Sequence, residues 1–156
     1  MENKNPSTKL KSKKTTHKYL RYTSFLLIIS ILYFLFNQNL KETPKLEYVL
    51  ALLLTLTVIF SQIFWNNPIK NSKIHKIDAI IAKTTIFSFI LYILIYKFKL
   101  SFIFFILAMY ISFCFSDKYS NQEWCCNEHI FWHGLLHIIC FIGSFYAFYP
   151  IPSIII

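Results

Sequence analysis

Five apolar runs separated by short polar breaks divide this chain. They cover about residues 19–36, 46–65, 74–96, 100–115 and 128–149. Each approaches or reaches the ~17–25 residues a helix needs to cross the hydrocarbon of a bilayer, well beyond the ~9–11 a membrane strand needs. Length therefore selects helix where periodicity in so apolar a run cannot. The breaks carry their own signals. Asn37-Gln38-Asn39 ends the first run, and Pro44 suits the start of the second. Asn66-Asn67-Pro68 ends the second, because proline cannot continue the hydrogen-bond ladder and restricts the residue before it. A loop with Lys70, Lys73 and Lys76 leads to the third run, Lys97-Phe98-Lys99 is a tight turn, and Asp117–Asn127 reads as a polar loop with Trp124 at its edge. Pro150 and Pro152 close the fifth. The expected fold is an all-α integral membrane protein with about five transmembrane helices in a single bundle, residues 19–156 forming one domain without internal repeats. Residues 1–18 are polar and Lys-rich, and are expected to form a disordered tail. A basic start before an apolar run also resembles a signal peptide. The long basic region and the missing small-residue cleavage site favour an uncleaved first span.

Composition agrees. Of 156 residues, 56% are hydrophobic and only 15% charged, too apolar for an ordinary soluble domain. The formal net charge is +9, but Lys4, Lys9, Lys11, Lys13, Lys14, Lys18 and Arg21 gather at the N-terminus. The excess is a terminal feature, and no basic stripe with interleaved stacking aromatics exists in a polar context, so no nucleic-acid partner is expected. The same cluster places the N-terminus on the cytosolic side of a multi-pass membrane protein; it specifies no compartment. The frequent Ile, Phe, Tyr, Asn and Lys all follow from AT-rich codons, so the aromatic content implies no cofactor. Cys114, Cys125, Cys126 and Cys140 form no CxxC pair and no disulfide framework.

The chemistry-bearing stretch is Glu128-His129-Ile130-Phe131-Trp132-His133-Gly134-Leu135-Leu136-His137. Residues four apart stack on one helix face, so His129 and His133 are placed to share a metal, and His137 continues the stripe one turn deeper. Loop parity brings Ser61 and Trp65 at the end of span 2, and His75 and Asp78 at the start of span 3, to the same membrane face as these histidines. Each residue also has a structural reading. Ser61 can bond back to its own helix, Asp78 suits a helix start, and His75 suits an interface. Lys83 can snorkel, or pair with Asp78 or Glu128. Taken together, the set suits metal-assisted hydrolysis. Three imidazoles hold zinc and leave a position for water, a carboxylate takes or orients a proton, and a hydroxyl stabilises an oxyanion. A site at the bilayer edge suits a lipid amide or ester.

Serine near the end of one span, aspartate at the start of the next, and His129-Ile130-Phe131-Trp132-His133 opening the last resemble the CREST superfamily, the alkaline ceramidases in particular. Gly143-Ser144-Phe145-Tyr146 is similar in flavour. The resemblance implies zinc held by three histidines, with Ser61 and Asp78 assisting hydrolysis. Two features depart from it. The family has Ser-x3-His at the end of the second span, where this chain has Ser61-Gln62-Ile63-Phe64-Trp65. It also has seven spans, and this chain has five. Two functions follow. One is a zinc-dependent hydrolase acting on a ceramide-like membrane lipid, with His129 and His133 as ligands, His75 or His137 as the third, and Ser61 and Asp78 catalytic. The other is a non-enzymatic membrane protein that keeps the fold without a complete metal site. Haem held by the histidines of span 5 is a weaker third reading. A chain this small also suits assembly into a homo-oligomer.

Overall fold

A computed structural model describes residues 17–37 and 44–150. It contains five α-helices: α1 (Lys18–Phe36), α2 (Lys45–Asn66), α3 (Lys73–Tyr96), α4 (Ser101–Gln122) and α5 (Asn127–Phe148). All five are long and apolar enough to cross a membrane. The basic segment expected to be a disordered tail lies outside the described residues up to residue 16, and α1 already begins at Lys18. α4 differs from expectation, continuing to Gln122 rather than stopping at Phe115. Its last turns are polar but still helical: Asn121 donates to Asp117 Oδ2 at 3.2 Å, and the Ser120 hydroxyl donates to the Asp117 carbonyl at 3.0 Å. Lys70 Nζ then holds the Ser120 carbonyl at 2.6 Å.

α1, α2, α3 and α5 close a ring. α1 packs against α2 and α5, α2 against α3, and α3 more lightly against α5. α4 packs chiefly on α5, outside the ring. The outward faces carry exposed Ile59, Ile80, Phe87, Ile95, Phe104 and Tyr110, as a surface facing hydrocarbon does. Inside, small hydroxyl residues join the helices, the usual device where lipid provides no hydrophobic drive between them. Ser144 donates to Ser30 at 2.8 Å across α5 and α1, and Thr57 meets Thr85 at 2.8 Å across α2 and α3. The main apolar core, around Leu27, Leu50, Leu54, Val58, Phe89, Ile93 and Phe148, fills the half of the ring away from the histidines.

That far end is closed by a buried charge cluster. Lys97, just past α3, pairs with Glu47 of α2 at 3.3 Å, and both residues are 8% exposed. Tyr92 donates its hydroxyl to Glu47. Lys97 Nζ also donates to the Ala147 carbonyl and, at 2.9 Å, to the Tyr149 carbonyl, while Tyr146 donates to the Lys97 carbonyl at 2.9 Å. The last carbonyls of a helix lack intrahelical partners and attract cations. One lysine thus caps α5 and ties three helices together.

Candidate functional site

Two hydrogen-bonded helix starts build the histidine end. Ser72 caps α3, its side chain accepting from the His75 backbone N–H, and Cys126 caps α5 in the same way toward His129. In each case the residue before the cap is left-handed, Asn71 at φ 63° and Cys125 at φ 59°. Its backbone N–H donates to the Nδ1 of the histidine four residues on, at 3.0 Å in the first case and 3.3 Å in the second. This is a variant of the capping box, with histidine in the place of glutamate or glutamine and reaching the residue before the cap rather than the cap itself. His75 and His129 therefore each do structural work at a helix N-terminus.

Aromatic rings knit the two starts together. The Trp124 ring lies 5.1 Å from His75 and 4.9 Å from His129, and its indole N–H donates to the Pro68 carbonyl at 3.2 Å. Trp65 stacks beside Trp124 at 6.2 Å and meets the His133 ring edge-on at 5.2 Å. Phe64 stacks on His75 at 4.8 Å. Trp65 is 1% exposed, so a fully buried indole stands at the position where the resemblance places a ligand. His133 and His137 are half-buried. Nδ1 of His133 lies 3.1 Å from the Ser116 hydroxyl of α4, and that of His137 lies 2.9 Å from the Thr23 hydroxyl of α1. The two rings are 4.9 Å apart, and those of His129 and His133 are 5.6 Å apart. On the other side of the seam, Arg21 of α1 bonds Gln62 and Asn66 of α2.

Ser61 and Asp78 fall on the seam between α2 and α3. Thr57 lies opposite Thr85 and Phe64 opposite His75, so in these antiparallel helices Asp78 lies level with the turn from Ser61 to Phe64. Ser61 is 4% exposed and Asp78 9%. Three buried atoms at this end have no hydrogen-bond partner among the described residues: Ser61 Oγ, Trp65 Nε1 and Asp78 Oδ1. Ser61 therefore does not bond back to its own helix. Leaving such a group unpaired costs about 1–3 kcal/mol, so this cluster is where a ligand or water gains most. Lys83 pairs with neither Asp78 nor Glu128; its Nζ lies 5.7 Å over the Phe113 ring.

The residues present do not fit a three-histidine metal centre as they stand. Among the described residues no three of His, Cys, Asp and Glu come together closely enough to hold a metal ion. Hydrogen bonding supplies a reason. A neutral imidazole that accepts a hydrogen bond at Nδ1 carries its proton on Nε2 and is a donor there. The backbone N–H bonds at His75 and His129 impose this state. His137 has the opposite assignment, because Thr23 donates to the Leu20 carbonyl at 3.2 Å and so accepts from Nδ1–H, leaving Nε2 with its lone pair. The residues that sequence reasoning expected to converge do lie at one end. Sequence reasoning missed the capping role of two histidines, the hydroxyl partners Thr23 and Ser116, and the wedge formed by Trp65 and Trp124. Ser72-x-x-His75 and Cys126-x-x-His129 were the available signal, at capping-box spacing. No protein-family model matches the chain, and no curated protein and no solved structure matches it either.

Proposed function

We propose that this chain is a multi-pass membrane protein that takes the polar head of a ceramide-like lipid into the histidine end of its helix ring and does not hydrolyse it. The observation that carries this reading is the trio of buried, unpartnered atoms. An indole N–H donates, a carboxylate oxygen accepts, and a serine hydroxyl does either, a set that matches the amide and hydroxyl groups of such a head. The buried Trp65 supports binding over chemistry, since it fills the place of a ligand with a side chain that offers only a donor. The lysine-rich N-terminus supports a cytosolic position for this end.

A second reading, zinc-dependent hydrolysis of the same lipid class, is favoured by the unpaired state of Ser61 and Asp78 beside a pair of histidines. It requires a third ligand and a different protonation of His129. Titration of the detergent-purified protein with ceramide, read by tryptophan fluorescence, separates the two. The first reading expects saturable binding that Ser61→Ala and Asp78→Ala each weaken about tenfold, the loss of one buried hydrogen bond of ~1–2 kcal/mol. It expects no fatty-acid release above that of a His129→Ala/His133→Ala variant with zinc supplied. Absence of binding would sink it, and release that vanishes in the double variant would replace it with the hydrolase.

A further inference from the structure

α3 and α4 follow one another in the chain but barely touch. Between them lies a narrow apolar slot of about 40 Å³, walled by Ile86, Ile90 and Ile93 of α3 and by Phe102, Phe105 and Met109 of α4. The two hydroxyl residues in its lining are already bonded. Thr85 meets Thr57 at 2.8 Å, and Ser144 donates to Ser30 at 2.8 Å. Apart from the Cys140 thiol, the slot therefore presents hydrocarbon to an occupant.

Both walls continue toward the histidine end. Lys83 lies one turn before Ile86 and Lys76 two turns before Lys83, so Lys76, Lys83, Ile86, Ile90 and Ile93 share an arc of roughly 100° on α3. Phe113 lies one turn beyond Met109 on α4, and Lys83 Nζ sits over its ring at 5.7 Å. A cation thus roofs the slot. Lys83 is exposed, is nearly three turns into α3, and forms no ion pair among the described residues. A charge at such a position without a counterion is costly, and marks a partner. From Lys83 to Ile93 is about 15 Å at ~1.5 Å per residue. That is half of a ~30 Å hydrocarbon core, the depth of one leaflet.

An anion at one end and a leaflet-long apolar chain at the other describe one kind of occupant. We propose that the α3–α4 slot binds a single anionic phospholipid, its phosphate on Lys83 with Lys76 nearby and one acyl chain running along the slot to Phe102. The slot shares no lining residue with the histidine end, so it stands whether or not that end binds a lipid head.

Native mass spectrometry tests it, on full-length protein released from nanodiscs of equimolar phosphatidylglycerol and phosphatidylcholine. Preferential retention of one phosphatidylglycerol per chain is expected. Lys83→Gln is expected to lower that retention about fivefold, the worth of one lysine near an anionic lipid surface. Met109→Trp, which fills the slot, removes it, and Lys99→Gln at the far end leaves it unchanged. Lys83 is exposed and outside the core, so its variant remains informative even if Met109→Trp fails to fold. Equal retention of both lipids, or retention untouched by Lys83→Gln, would overturn the proposal. Retention of added palmitate in place of phosphatidylglycerol would overturn the phospholipid as occupant.

Discussion

Replacing Glu47 by alanine is expected to destabilise the fold by about 3 kcal/mol, the size of effect seen when one partner of a buried ion pair is removed. The loss has two parts. Lys97 keeps its bonds to the Ala147 and Tyr149 carbonyls but loses its only carboxylate among the described residues. Tyr92 loses the acceptor for a buried hydroxyl. The position in the fold magnifies the effect, because the cluster fastens the start of α2 to the ends of α3 and α5. A Glu47→Leu/Lys97→Met double variant is expected to cost less than the two single changes added together, since it leaves no orphaned charge. Thermal unfolding of the detergent-solubilised variants measures both. Additive costs would show that the pair is not coupled.

Trp65→Ala is expected to be comparably damaging, about 3–5 kcal/mol for truncating a buried tryptophan. The indole is among the largest fully buried side chains, and it touches Phe64, Trp124, His129 and His133. Removing it opens a cavity between the two capped helix starts. Trp65→Phe, which keeps most of the ring volume, is expected to cost markedly less. The same unfolding measurement checks this, and equal stability of the alanine variant and the wild type would mean that Trp65 does not hold the seam.

The five spans were legible because hydropathy and length together leave few alternatives for apolar runs of this size. Hydropathy reports where lipid ends, however, and not where a helix ends. That is why α4 outruns its apolar stretch through Asp117, Ser120 and Asn121. The gathering of Ser61, Asp78 and the histidines at one end was legible from loop parity alone. Their roles were not. His75 and His129 sit three residues after a serine and a cysteine, a spacing that also belongs to helix capping. Only the left-handed backbone at Asn71 and Cys125, each sending an N–H to an imidazole, decides between the readings. Lys97 and Glu47 lie fifty residues apart, one just past α3 and the other in the first turn of α2, with no local sign of a partner. Their pairing appears only once the helices close the ring.

A buried indole and two capping histidines leave this seam without three nitrogens free to ligate, and zinc bound per chain, measured by elemental analysis on monodisperse wild-type protein and on Trp65→His, checks that arrangement. It predicts well under one zinc in the wild type and a clear gain in Trp65→His. About one zinc in the wild type, lost in His129→Ala/His133→Ala, would contradict it and establish a metal centre of the kind that zinc hydrolases use.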